Sequence, residues 1–293
     1  LSWRSQYCGI FEYKQKGVTY YFLDNEYYFK RGGIYGQFDD GERFGYFSMA
    51  VLEAIKHMDF APEVIHCHDW QTGLVPAFLK LFFSGEEKLR DIKTVFSIHN
   101  IQYQGNYDMY FAADVLGIPE NRRGVVEYDG RCNYMKTGIE HCDAISTVSP
   151  TYAKEILTPW FAHELDALLV QRQHKLCGII NGIDVDLYNP AKATGIAANF
   201  STRALVKGKN ECKLALQKEL GLEENVDVPI IACVSRLVSH KGFDLVTSAL
   251  DGIMGLAVAA FILYSGIRLA KETVNPLLGE SADKTLREDI LDY

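Results

Sequence analysis

The sequence predicts an α/β protein built around a parallel sheet. From about residue 60, short apolar runs typical of buried strands alternate with longer stretches that have helical spacing. Strands separated by helices form parallel sheets, because a parallel neighbour needs a long crossover connection. Polar clusters follow several of the predicted strands, and ligands of such sheets bind at the carboxyl ends of the strands. We therefore expect a site at that edge.

The first predicted elements are two strands with a helix between them. PEVIHC (62–67) and KTVFSIHN (93–100) are short apolar runs that end in polar residues, which indicates buried strands. GLVPAFLKLFF (73–83) is longer and apolar, which predicts a helix.

The next predicted elements repeat this order. The stretch 134–150 predicts a helix and then the strand AISTVS, after which Pro150 begins another helix at its first turn. Further strands are predicted within 175–184 and 228–237. A junction between two domains is expected near 181–209, because that stretch is rich in turn-forming and small polar residues.

Composition narrows the classes of protein. The 293 residues are 48% hydrophobic and 23% charged, as in a soluble globular protein, and the net charge of −8 argues against a nucleic-acid surface. The seven cysteines form no CxxC pair, which favours free thiols in a reducing compartment and predicts a cytoplasmic protein.

The tail differs from the rest of the chain. Residues 252–267 carry no charge, and a helix over 250–270 would be about 31 Å long, close to the roughly 30 Å core of a bilayer. A membrane association through 250–270 is one interpretation. An all-apolar central helix of an α/β domain is the other.

The cluster HCHDW (66–70) and the later SIHN (97–100) end the first two strands. His66 and His68 would share one face of a strand, a geometry that zinc sites use. A catalytic zinc needs three protein ligands, and only His99 is available as a third, so a metal site is not favoured. Histidines hydrogen-bonded within a core are a further alternative.

A polar pocket fits these residues better. His68, Asp69 and Trp70 lead into a helix start, where free N–H groups favour anions and hydroxyl acceptors. His99 and Asn100 would face the same crevice. In the second domain, the pattern SRLVSHKG places Arg236 at a strand end and Lys241 at a helix start. This pair suits a diphosphate, although two such cations can also be ordinary solvated surface.

Five segments together resemble a known family. HCHDWQTGLVPAFLK, VFSIHNIQYQGNY, MKTGIEHCDAISTVSPTYAKEI, GIINGIDVDLYNP and CVSRLVSHKGFDLV occur in an order and spacing similar to bacterial glycogen synthase and plant starch synthase. Residues 27–55 also resemble the N-terminal domain of these enzymes. The resemblance implies a retaining glucosyltransferase with two Rossmann-like domains (GT-B type). It would transfer glucose from ADP-glucose to the 4-OH end of an α-1,4-glucan, without a metal ion or other cofactor.

The resemblance also implies roles for individual residues. His99 would lie beside the donor glucose, and Asp69 would lie near the acceptor and sugar subsite, with Trp70 beside it. Arg236 and Lys241 would bind the donor diphosphate. The remaining substrate-binding residues would be His68, Asn100, the hinge residue Asn181, and Tyr35 from the N-terminal segment.

The domains follow from the same resemblance: residues 1–181 form the acceptor-side catalytic domain, and 182–246 form the hinge and the start of the nucleotide-sugar domain. Counterparts of the family's KTGGL and EPCGLTQ motifs are missing from the sequence, so we expect a weakly active or inactive synthase fragment. The alternatives are a non-catalytic remnant that binds glucan and a membrane-tethered fusion that carries a piece of a cation-efflux transporter. Residues 247–293 resemble the last transmembrane region of cation diffusion facilitators, which predicts a join near 245–249.

Overall fold

The computed structural model describes residues 1–235, 241–242 and 262–265. The chain forms two compact units, Leu1–Gly182 and Ile183–Tyr293. The strands are β1 (Gly9–Gln15), β2 (Val18–Asp24), β3 (Val64–His68), β4 (Lys93–Ile98), β5 (Asn106–Tyr107), β6 (Glu127–Tyr128), β7 (Arg131–Asn133), β8 (Ala144–Thr147) and β9 (Leu176–Gly178). The α-helices are α1 (Glu26–Phe29), α2 (Asp40–His57), α3 (Val75–Phe82), α4 (Tyr134–His141), α5 (Pro150–Glu155), α6 (Pro159–Ala162), α7 (Asp166–Arg172) and α8 (Leu205–Glu219).

A four-stranded parallel sheet is the centre of the first unit. Its order is β3-β4-β8-β9, so its strands lie side by side in the order in which they occur in the chain, although β5 to β7 of another sheet intervene between β4 and β8. The register places His68 opposite Ser97 and Ser97 opposite Ser146. This arrangement confirms the predicted parallel α/β sheet and brings the carboxyl ends of β3 and β4 side by side.

The helices on this sheet begin and end where the sequence provides caps. The side chain of Ser149 accepts the backbone N–H of Tyr152 at the start of α5, and Pro150 occupies the first turn of that helix as predicted. Asn133 caps α4 in the same way. These caps satisfy backbone N–H groups that have no partner inside a helix.

The core lies where α2, α3 and α4 pack around the sheet. Its fully buried members include Leu52, Phe78, Phe96 and Met135. Leu74 and Val75 are also buried where α3 begins. Burial of these apolar side chains is the main stabilising contribution to the fold.

Two smaller sheets lie outside this central layer. Strands β1 and β2 form an antiparallel hairpin whose turn is Lys16–Gly17, with both residues at positive φ. That conformation matches the twist of a two-residue hairpin. Strands β5, β7 and β6 form a three-stranded antiparallel sheet.

The second unit contains α8. The strand predicted for 228–237 is not formed over 228–235, and 236–237 lie outside the described residues. Ile231 and Val234 are exposed there. An apolar run becomes a stable strand only when neighbouring strands pair with it and its side chains are covered, and periodicity alone does not report on this.

The apolar helix predicted for 250–270 falls almost wholly outside the described residues, which include only 262–265 of it. Over the part of the chain that the structure describes, no helix is both long and apolar enough to cross a bilayer.

Candidate functional site

The polar cluster lies where β3 and β4 end. His68 is the last residue of β3, and Asp69 follows it with φ 54° and ψ −176°. His99 and Asn100 follow β4 directly. Positive φ is uncommon outside glycine, and its combination with a ψ near 180° is a strained conformation that other residues rarely adopt. The chain therefore turns sharply at Asp69, at the edge of the sheet where ligands of parallel sheets bind.

Asp69 joins the two strand ends. Its Oδ1 accepts a hydrogen bond from the backbone N–H of His99 at 2.8 Å and a longer one from that of Asn100 at 3.3 Å. Its own backbone N–H donates to the carbonyl of Ser97 at 2.9 Å. Hydrogen bonds to an ionised carboxylate are stronger than neutral ones. One side chain thus fixes the backbone of both site loops relative to each other.

His68 and His99 contact each other directly. The Nδ1 atom of His68 lies 3.0 Å from the Nε2 atom of His99. A hydrogen bond between two imidazoles needs one nitrogen that donates and one that accepts, so the pair shares a defined tautomer. The ring of His66 lies 4.2 Å from the ring of His68, centroid to centroid.

A row of polar side chains crosses the sheet beside this pair. The Nε2 atom of His66 lies 2.6 Å from the hydroxyl oxygen of Ser97, and that hydroxyl shares a hydrogen bond with Ser146 on β8. Thr72 completes the loop after β3, because its hydroxyl accepts the N–H of His68 at 2.6 Å and lies 2.8 Å from the His68 carbonyl, to which it donates. Sequence reasoning missed these three hydroxyl residues, although the SIHN pattern includes Ser97.

The surroundings of His68 lower its pKa. The largest cause is the loss of water around the ring, followed by the charges of His66 and His99, while Asp69 acts in the opposite direction. The imidazole at this position therefore favours its neutral form, which can both accept and donate a proton.

Trp70, which the resemblance predicts to contact the substrate, is nearly buried, and its substrate contact stays a prediction. It is only 8% exposed, and its ring packs edge-on against Phe44 at 5.0 Å and lies 6.4 Å from Tyr134. Its physical role is to anchor the loop after Asp69 in the hydrophobic core. The sequence pattern HDW places it beside polar site residues, but the chain reverses at Asp69 and buries the next side chain.

Tyr35 lies in a loop that precedes α2, and 57% of its surface is exposed. Asp40 holds this loop, because its Oδ2 accepts the backbone N–H groups of Gly36 at 2.6 Å and Gln37 at 3.1 Å. Asp40 also pairs with Arg43, which is 2% exposed and donates to the carbonyl of Ile34. The loop that presents Tyr35 is therefore organised by a buried ion pair.

The structure brings together four of the predicted site residues, His68, Asp69, His99 and Asn100. Asn181 is exposed in the turn after β9, and Lys241 is exposed in the second unit. Arg236 lies outside the described residues, so the predicted diphosphate pair stays a prediction. Over the described ranges, no group of three or more His, Cys, Asp or Glu side chains could hold a metal ion.

The segment that contains these site residues matches a recognised protein family. The family model of the starch synthase catalytic domain matches residues 1–171. The chain belongs to this family. This finding confirms the resemblance to glycogen and starch synthases.

Glycogen synthases are among the similar proteins. The chain is 47% identical to glycogen synthase of Clostridium perfringens (strain 13 / Type A) over 91% of this chain and 55% of that protein. It is 46% identical to glycogen synthase of Bacillus anthracis over 91% of this chain and 56% of that protein. The chain thus spans about half the length of the curated relatives it matches.

A solved structure supports the same fold. The catalytic domain of starch synthase IV from Arabidopsis thaliana, bound to ADP and acarbose, matches with a TM-score of 0.72 and 32% identity. The match covers 85% of this chain and 52% of that chain. This supports the expected α/β, Rossmann-like fold of a GT-B type glycosyltransferase.

The likeness to glycogen synthases also corrects the prediction for the tail. An alignment that covers 91% of the chain extends past residue 246, into the segment 247–293 that resembled cation diffusion facilitators. The expected join near 245–249 is therefore not supported, nor is the transporter resemblance. An apolar stretch of this length is ambiguous by itself, because apolar helices occur in the cores of α/β domains as well as in membranes.

Proposed function

We propose that this protein is a retaining glucosyltransferase that transfers glucose from ADP-glucose to the non-reducing 4-OH end of an α-1,4-glucan. The family assignment and the likeness to glycogen synthases support this proposal. The observation that carries it is the tie between the ends of β3 and β4, where Asp69 binds the backbone of His99 and Asn100. The tie holds His99 and Asn100 beside Asp69 at the ends of the two strands, where we propose that the sugars bind.

The chemistry that this crevice has to support is the departure of ADP. Negative charge then develops on the diphosphate, while the anomeric carbon becomes oxocarbenium-like. Arg236 and Lys241 would stabilise the diphosphate as fixed positive charges, and such preorganised electrostatics is commonly the largest single contribution to catalysis. No metal ion or other cofactor is part of the proposal.

The crevice residues would act on the sugars. His99 lies beside the proposed donor glucose, where its contact with His68 fixes the orientation of its ring. Asn100 and Tyr35 offer an amide and a phenol hydroxyl as hydrogen-bonding partners for sugar hydroxyls. Asn181 would serve at the hinge between domains proposed as 1–181 and 182–246. Asp69 would face the acceptor side with its second carboxylate oxygen, Oδ2.

A transfer assay tests this proposal. The 293-residue chain is incubated with ADP-[14C]glucose and glycogen, and label in precipitated glycogen is measured with the wild type and with His99→Ala. We expect weak glycogen-dependent incorporation by the wild-type chain, because counterparts of two family motifs are missing from the sequence. Incorporation should fall by up to roughly 100-fold in His99→Ala, since that is a common effect of removing one stabilising group. Trp160→Ala, at a side chain that is 85% exposed, serves as the control. UDP-glucose replaces the donor in a parallel arm.

Binding of maltoheptaose is measured alongside turnover by isothermal titration calorimetry. A wild-type chain that neither binds maltoheptaose nor transfers glucose contradicts the proposal. Preference for UDP-glucose would contradict the donor assignment and leave the acceptor assignment standing.

A further inference from the structure

The hairpin β1–β2 carries an aromatic face. Its register places Phe11 opposite Phe22 and Tyr13 opposite Tyr20. Residues directly opposite in an antiparallel pair share a face, and alternate residues along each strand share it too. These four aromatic side chains therefore lie together, and we name them the aromatic hairpin face.

This face is turned towards solvent. Phe11 is 59% exposed, Phe22 49% and Tyr20 43%. A sheet with one wet side normally places polar residues there, because apolar surface in water is unfavourable. An exposed aromatic cluster of this kind marks a binding surface more often than a single exposed ring does.

The opposite face of the hairpin carries both charged and apolar residues. It carries the ion pair Glu12–Lys14 and also Leu23, which packs against the buried cluster around Tyr28 and Tyr46. The hairpin thus has its protein-facing anchor and its ion pair on one side. The aromatic hairpin face is free for another contact.

The rings of this face form a row. The centroids of Tyr13 and Tyr20 lie 6.2 Å apart, and those of Tyr20 and Phe22 lie 6.5 Å apart with their planes 18° from parallel. Aromatic faces carry partial negative charge, so they attract the weakly positive C–H groups of a neighbouring molecule. A row of rings therefore suits a chain-like ligand with repeated C–H surfaces.

We propose that the aromatic hairpin face binds an α-glucan chain, as a contact additional to the crevice at the ends of β3 and β4. This inference rests on the proposed function. The four ring residues and the pair Gln15 and Val18 beside the turn are uncharged, and the one charged residue on this face is Asp24 at the opposite end of the hairpin. A face without a cation suits an uncharged polymer better than an anionic nucleotide. The hydroxyls of Tyr13 and Tyr20 add hydrogen-bonding groups for sugar hydroxyls.

The expected consequence is selectivity for long acceptors. A glucan held by the hairpin stays at a high effective concentration near the crevice, so two weak contacts combine into a stronger one. A short oligosaccharide cannot use both contacts, and its affinity should not depend on the hairpin.

The test compares glycogen binding by two multiple variants. One removes three rings of the face (Phe11→Ser, Tyr20→Ser and Phe22→Ser), and the matched control removes exposed rings elsewhere (Tyr110→Ser and Trp160→Ser). Affinity is measured by retardation in native gels that contain glycogen, and thermal unfolding verifies that each variant is folded.

We expect about tenfold weaker glycogen binding for the hairpin variant and wild-type binding for the control. Maltotriose affinity should be unchanged in both. The single changes Phe11→Ser and Phe22→Ser replace the triple variant should it fail to fold.

Three outcomes overturn the inference. Wild-type glycogen affinity in the hairpin variant, with loss of affinity in Asn100→Ala, removes the hairpin site and leaves the proposed function intact. If glycogen does not retard the wild-type chain, both the hairpin site and the proposed function are contradicted. A concentration-dependent dimer in sedimentation velocity that only the hairpin variant abolishes would assign this face to a second copy of the chain instead.

Discussion

The Oδ1 atom of Asp69, at the end of β3, accepts the backbone N–H of His99, at the end of β4, at a distance of 2.8 Å. The two residues are thirty positions apart in sequence and meet only because their strands are neighbours in the parallel sheet. The carboxylate therefore acts as a positioning group for the crevice, in addition to any contact with the acceptor.

Asp69→Ala should lower both stability and glucan affinity. The change leaves the N–H of His99 without its charged acceptor and places alanine at a φ of 54°. We expect a loss of about 2 kcal/mol in the free energy of unfolding, measured with urea. Asp69→Asn retains an acceptor oxygen for the N–H of His99, so it should lose less than half as much. Equal losses in the two variants would argue against the positioning role.

Trp70→Phe separates a core role from a substrate role. Because Trp70 is 8% exposed and packs on Phe44, the smaller ring should lower the free energy of unfolding by about 1–3 kcal/mol. Maltoheptaose affinity, measured by calorimetry on the folded variant, should stay within twofold. A large loss of affinity with unchanged stability would restore the contact that the sequence predicted.

Gly105→Ala should be strongly destabilising. Gly105 has φ +65°, and a Cβ there would lie 2.4 Å from Cε3 of the Trp70 ring. The matched control is Gly130→Ala, where φ is +72° but nothing lies within 4 Å of the added carbon. The control should show only the backbone cost of about 1 kcal/mol, whereas Gly105→Ala should add about 1–3 kcal/mol from the clash. Similar urea midpoints for the two variants would show that Trp70 moves aside freely.

The protein should lose stability as the pH falls below about 6.5, the ordinary pKa of histidine. The pKa values of His68 and His141 are lowered in the folded protein, chiefly because both rings lose water to burial. The unfolded chain then binds more protons than the folded one, so stability rises with pH across the interval between the two values and falls on acidification.

His68→Gln tests this sign directly. Each proton that the chain takes up on unfolding contributes at most about 1.4 kcal/mol per pH unit to the slope of the free energy of unfolding against pH. We expect a shallower decline for the variant between pH 7.5 and 5.5, measured by urea unfolding. An unchanged slope would mean that His68 does not take part in the decline.

The cysteines should divide into two reactive classes. Burial raises the pKa of Cys67 to about 12 and those of Cys132 and Cys142 to about 11. Cys177 and Cys233 are exposed. With iodoacetamide at pH 8, the exposed pair should be alkylated first and the buried three only in urea, as read by peptide mass spectrometry. Rapid labelling of Cys67 in buffer would contradict the packing of β3.

The sequence predicted the central sheet well because its strands are apolar runs of useful length. The runs that end in HCHDW and SIHN predicted β3 and β4. The position of their ends predicted that His68, Asp69 and His99 would lie together. The short strands β5, β6 and β7 could not be predicted in this way, since two or three residues carry no periodicity.

The fate of individual side chains was harder to predict. Trp70 follows two polar site residues, and only the positive φ of Asp69 reveals that the chain turns it inward. The role of Gly105 depends on a ring thirty-five positions earlier in the sequence, which no local pattern reports. The hairpin turn Lys16–Gly17 did leave a local signal, because glycine at such a position favours a two-residue turn.

The tie between Asp69 and His99 also concerns how the chain folds. Parallel strands joined by a crossover come together late, because the loop between them has to be closed before any pairing is gained. The crevice should thus be among the last parts to form during refolding. Partly folded chains would lack it, and added glucan should slow unfolding more than it speeds folding, since only a native-like state can bind it.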